Sequence, residues 1–345
     1  MKKTFLAALQ YGFYAALAVF FVWLSVRGMD HDKWEQLKKA MDHAHYWLLV
    51  PVFSLLLVAH YLRALRWRQL MEPMGYHPKR INAFFAVMIG YFVNIGAPRL
   101  GEVVKCTILA KYERIPAQKL VGTIVIERAF DVICLAMVFG LTFVFQFDII
   151  SSLVHDYIYP LFQNKSGGIA YQKIIIPVIG LVIFLIVLKI VFARLGHINI
   201  VQKIKDILTG VWHGLISVKD LKNKPLFFIY TIGIWVMYLL STWCGFFAID
   251  ATSHLGMADA LTVLAMGSVG MILTPGGIGA YALLVMNTVA LYNIPKEPYG
   301  LALGWLLWFG QFLSFVIFGA LSFLLLPRVN RQKIKTDEAS PGYTG

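Results

Sequence analysis

Residues 299–326 contain no Asp, Glu, Lys, Arg or His. A helix needs about 20 apolar residues to cross the hydrocarbon core of a bilayer. Inside that core the backbone must satisfy its own hydrogen bonds, which a single continuous apolar run does as a helix. Comparable runs recur at about 6–26, 46–65, 119–147, 173–193 and 225–248. Of the 345 residues, 59% are hydrophobic and only 14% charged, and the mean hydropathy is +0.70. A soluble chain of this length has too little interior to hide so much apolar surface. The sequence therefore predicts an all-α polytopic membrane protein with about six full spans.

The net charge of +13 does not point to nucleic acid. The basic residues cluster in short segments beside the apolar runs: 63–80, 111–116, 194–224 and 327–335. Counting crossings puts all four on one side, the cytoplasmic one by the positive-inside rule, together with both termini. Within the first segment, Arg63, Arg66, Arg68, Lys79 and Arg80 read as surface cations, with Trp67 at headgroup depth. The expected location is the cytoplasmic (inner) membrane, with residues 6–26 an uncleaved first span. Residues 27–45 and 148–172 read as external connections, and 194–224 contains an interfacial amphipathic helix. Cys106, Cys134 and Cys244 show no C-x-x-C spacing, so neither a disulfide framework nor a metal site is expected. The absence of nucleotide and hydrolase motifs argues against an ATP-driven pump, and no cofactor is expected.

Two further apolar stretches are broken. Residues 81–98 stop at Gly96-Ala97-Pro98, and the apolar stretch 103–110 that follows is too short to span alone. Residues 258–275 stop at Thr274-Pro275-Gly276-Gly277-Ile278-Gly279 and are followed by the short run 280–292. Broken backbone at membrane depth is tolerated only where protein or water surrounds it. Both stretches are therefore predicted to be re-entrant helical hairpins, at about 81–110 and 258–292. Gly90 precedes Pro98 by the same interval as Gly267 precedes Pro275, and each hairpin follows a full span. This predicts an inverted repeat whose broken helices meet near the midplane. Residues 1–326 form one transmembrane domain on this reading, and 327–345 a disordered cytoplasmic tail.

The charges within these apolar segments mark the candidate site. Arg99, Glu102 and Lys105 lie at i, i+3, i+6, on roughly one helical face. Glu127, Arg128 and Asp131 interrupt the run 119–147. Charge in hydrocarbon persists where it is paired or where it works. Two compatible readings follow. In one, the cations neutralise the acids and hold the hairpin. In the other, Arg99, Lys105 and Arg128 receive an anionic group, with Glu102, Glu127 and Asp131 positioning them. A proton relay through the three acids is a third, lesser reading. Asn94 is placed to hydrogen-bond across the first turn, although a lone intramembrane Asn more often serves to pack helices together. Gly101 in the first turn, and Gly276, Gly277 and Gly279 in the second, allow close backbone approach.

These residues resemble a known family. The pattern Asn94-x-x-x-Pro98-Arg99-x-Gly101-Glu102, then Glu127-Arg128-x-x-Asp131, then Pro275-Gly276-Gly277-x-Gly279 is similar to the lysylphosphatidylglycerol synthase transmembrane, or flippase-like, family. Leu65-Arg66-Trp67 fits as well, and the resemblance covers roughly 8–326. It implies translocation of an anionic phospholipid, glycolipid or polyprenyl-linked lipid, with Arg99, Lys105 and Arg128 as headgroup ligands. Two departures qualify it. No soluble synthase domain follows residue 326, so synthesis of the aminoacyl lipid is not expected. Lys105 stands where arginine is expected, which weakens bidentate headgroup contact. The competing readings are a membrane transferase with Glu102 or Asp131 as base, and a scaffold for a separate lipid-modifying enzyme.

Overall fold

The computed structural model describes residues 2–97, 100–153 and 218–331. The expected span at 173–193, the amphipathic stretch up to residue 217 and residues 332–345 of the expected tail 327–345 lie outside them. So do Pro98 and Arg99. Residues 327–329 of the expected tail are helical. Among the described residues every regular element is helical.

Eleven helices are labelled along the described chain. They are α1 (Lys2–Val26), α2 (His31–Asp42), α3 (Leu49–Gln69), α4 (Arg80–Gly96), α5 (Leu100–Glu113) and α6 (Ala117–Phe145). After the short α7 (Phe147–Leu153) come α8 (Lys224–Phe246), α9 (Met257–Leu273), α10 (Ala280–Val289) and α11 (Leu301–Val329). Three segments are long and apolar enough to cross a membrane: Tyr46–Met74, Lys224–Phe246 and Lys296–Val329. A fourth is added if α1 and α2, bent by 99° at the break between them, count as one. α6 is long enough too, at 29 residues, but Glu127, Arg128 and Asp131 interrupt its apolar character. Side chains such as Val19, Phe143, Ile232 and Phe323 project outward and stay exposed. That is the expected surface of a membrane-embedded protein, where the outside is as apolar as the core.

Polar ends explain where several helices start. The Asp30 carboxylate accepts from the Lys33 N–H at 2.9 Å and opens α2. Asn223 does the same for Leu226 at 3.1 Å and opens α8. At the start of α9, the Asp259 carboxylate accepts from the Gly256 N–H at 2.8 Å.

α3 packs along α8, and α11 packs against α3, α4 and α10. α4 and α5 pair as one hairpin, α9 and α10 as another, and α6 lies against both α5 and α9. α4 also touches the turn Pro275–Gly277 of the second hairpin, so the two hairpins meet. At one end of the molecule, Asn82 and Asn330 exchange side-chain hydrogen bonds of 3.0 and 2.9 Å. Asn82 also donates to Glu113, tying α4, α5 and α11 together.

Candidate functional site

The first hairpin is tight because its facing residues are small. A side chain on Gly101 would run into the Gly90 carbonyl and the Asn94 amide. The Asn94 carbonyl oxygen accepts from the Gly101 N–H at 2.8 Å, bridging the break between α4 and α5. In the second hairpin, Gly270 packs against the backbone of Tyr281. The turn itself needs glycine, since Gly276, Gly277 and Gly279 have φ of 62°, 74° and 72°. The Trp308 indole N–H donates to the Gly276 carbonyl at 2.8 Å and ties the turn to α11.

The charged residues converge beside the first hairpin. Glu127 is fully buried. Its carboxylate takes Lys105 Nζ at 2.7 Å, Arg63 Nη1 at 3.0 Å and Arg128 Nη2 at 3.1 Å. Asp131, one turn further along α6, takes Arg63 Nη1 at 2.6 Å and Arg66 Nη2 at 2.7 Å. Glu102 lies 3.3 Å from Lys105 and 3.7 Å from Arg128. Lys105 also sits 4.7 Å above the Trp67 ring. Among the described residues, four cations thus face three carboxylates, leaving one positive charge uncompensated.

Two of those cations correct the sequence reading. Arg63 and Arg66 are not surface residues marking a membrane face. Both are buried, and they neutralise Asp131 and Glu127. Trp67 is likewise fully buried, and its N–H donates to Thr123 at 2.8 Å. The physical reason lies in α6, whose acids Glu127 and Asp131 take Arg63 and Arg66 of α3 as ion-pair partners. Removing one partner from such a buried pair leaves an uncompensated charge, which costs about 3–5 kcal/mol.

A cavity of about 540 Å³ lies between the two hairpins. Tyr91, Asn94 and Ile95 line it from the first, and Ser268, Met271 and Gly276 from the second. Arg63, Arg128 and Asp131 form its charged part. Arg128 is the most open cation of the cluster, its side chain 45% exposed, whereas Lys105 is 5% exposed and engaged with Glu127. From Val52 to Arg63 the cavity follows α3 for about 16 Å at the usual helical rise. Among the described residues no group of His, Cys, Asp and Glu is arranged to hold a metal.

Sequence reasoning singled out Asn94, Glu102, Lys105, Glu127, Arg128 and Asp131, and the structure brings these six together. It did not single out Arg63 or Arg66 as site residues, nor the cavity-lining Tyr91, Trp235 and Tyr238. The i, i+3 spacing of His60, Arg63 and Arg66 on one apolar helix was the available sign of a polar face.

Comparison with known proteins adds a family. The model of the lysylphosphatidylglycerol synthase transmembrane region matches residues 12–305. The chain is also similar to the UPF0104 membrane protein MJ1595 of Methanocaldococcus jannaschii. Identity there is 22% over 266 residues, covering 72% of this chain and 76% of the relative. No solved structure matches.

Proposed function

Since the chain belongs to the lysylphosphatidylglycerol synthase transmembrane family, we propose that it translocates an anionic lipid across the cytoplasmic membrane. The lipid's headgroup occupies the cavity between the hairpins. The observation that carries this reading is the composition of the cavity wall: Arg128, Arg63 and Asp131 at one part, and mainly apolar and aromatic side chains, with a few uncharged polar ones, over the rest. An amphipathic ligand needs that division, a place for charge beside a place for hydrocarbon. Cations in clefts with apolar walls are also stronger than the same cations in water.

In this reading Arg128 contacts the headgroup phosphate, and Arg99, next to the start of α5, is a second headgroup ligand. Lys105 contributes positive potential while its ammonium stays with Glu127. Glu102, Glu127 and Asp131 hold the cations in place. The two hairpins are re-entrant, related as an inverted repeat, and complete a domain of about six full spans. Their shared use of glycine at the closest approach supports the repeat. Both termini are cytoplasmic in this reading, which the basic segments at 111–116, 194–224 and 327–335 support.

The test is reconstitution of the purified protein into liposomes with a fluorescent lipid in one leaflet, followed by chemical quenching of the outer leaflet. Proteoliposomes should expose labelled phosphatidylglycerol that empty liposomes keep hidden, and Arg128→Ala should slow this at least tenfold. Rates equal to those of empty liposomes for every anionic lipid tried would remove the proposal.

A further inference from the structure

The cavity holds polar groups that the charged cluster does not use. His60 is 1% exposed, lines the cavity, and has no hydrogen-bond partner at either ring nitrogen. Arg63 Nε is also without a partner. The Trp235 indole N–H, in the same wall, finds no oxygen acceptor, and the Cys134 sulfur beside it is a weak one. These groups form one surface. The His60 ring lies 5.0 Å from Tyr91 and 6.2 Å from Tyr238, and Tyr238 lies 6.2 Å from Trp235.

Buried polar groups in folded proteins are almost always hydrogen-bonded, so orphans grouped on a cavity wall point to a ligand. A neutral imidazole offers one donor and one acceptor, and an indole one donor. A hydroxyl both donates and accepts, so it matches them. An ammonium finds no counter-charge here. Asp131 is the one carboxylate lining the cavity among the described residues. Both its oxygens are already bound to guanidinium groups, at 2.6 and 2.7 Å. The cluster around it carries excess positive charge.

Resting on the lipid reading above, we infer that this cavity selects a lipid phosphate whose headgroup continues into a neutral hydroxylated group, a polyol or a sugar. It disfavours an aminoacylated headgroup. The phosphate lies against Arg128 and Arg63, and the hydroxyls lie against His60 and Trp235.

Native mass spectrometry of the full chain with competing lipids tests this. Phosphatidylmethanol and phosphatidylinositol carry the same phosphodiester charge, but only the second carries hydroxyls. Wild-type protein should retain phosphatidylinositol roughly tenfold better, the expected worth of one or two added neutral hydrogen bonds. Lysylphosphatidylglycerol should be retained less well than either. His60→Phe and Trp235→Phe should each pull phosphatidylinositol toward the phosphatidylmethanol level and leave the latter unchanged. Thermal unfolding checks both variants, and Trp235→Phe carries the test if His60→Phe does not fold. Phosphatidylglycerol ranks with phosphatidylinositol if two hydroxyls suffice, and below it if a ring is required; either order supports the assignment. Equal retention of phosphatidylinositol and phosphatidylmethanol, or preference for the lysyl lipid, overturns this inference and leaves anionic-lipid binding standing. Retention of none of these lipids overturns both.

Discussion

Glu127 and Arg128 are sequence neighbours with opposite situations. Glu127 is buried under three close cations, whereas the Arg128 side chain is 45% exposed. Glu127→Gln removes the buried anion shared by Arg63, Lys105 and Arg128 and leaves them only Asp131 and Glu102, so it should destabilise the protein by about 3–5 kcal/mol. Arg128→Ala removes a partly open partner and should lower stability by less than about 1 kcal/mol while lowering lipid transport. Thermal unfolding in detergent, run beside the transport assay, separates the two effects. Lys105 and Glu127 should couple in a double-mutant cycle by about 0.5–3 kcal/mol. The acids were legible in the sequence because charge stands out in an apolar run. Arg63 and Arg66 were not, because they adjoin Arg68, Lys79 and Arg80 and share the look of a cytoplasmic basic segment. Their partners on α6 are more than sixty positions away, and only folding brings the two helices side by side.

The hairpins show what glycine and proline reveal and what they leave out. The breaks near Ala97 and at Thr274 fall where the apolar runs end in Gly and Pro. Asn94, which the sequence offered as a bond across the first turn, bridges the first break. What the sequence left open was how the second break is held. Trp308 reaches it from α11, joining residues 32 apart with no local pattern. Gly101→Ala should force α4 and α5 apart and destabilise by about 1–3 kcal/mol, the usual toll of overpacking. Gly276→Ala has open space around it and meets only the strain of its positive φ, about 1–2 kcal/mol. Equilibrium unfolding of the two variants should therefore place Gly101→Ala at or below Gly276→Ala in stability. The opposite order would mean that the first hairpin is less tightly packed than its geometry indicates.

Across the molecule, α11 links the ends and the middle. Asn330 holds α4 at one end, Trp308 holds the second turn, and the segment just before α11 carries Glu297. Lys33 of α2 bonds Glu297 at 2.9 Å, and that hydrogen bond and charge raise the Lys33 ammonium above its ordinary value of 10.5. A raised lysine contributes stability that is full below 10.5 and fades as pH climbs through the raised value. Lys33→Met should therefore narrow its Tm gap from wild type as the buffer is taken from pH 9 to above pH 11. The effect should be small, because the pair is solvent-accessible. The central claim is that a lipid headgroup enters the space between the hairpins. The most direct measurement uses an anionic lipid with a photoactivatable group on its headgroup, crosslinked in proteoliposomes and mapped by mass spectrometry. The account predicts adducts at 91–95 and 268–272, lost when Arg128 is replaced by Ala. Adducts confined to outward-facing residues such as Ile232 and Phe323 would contradict it.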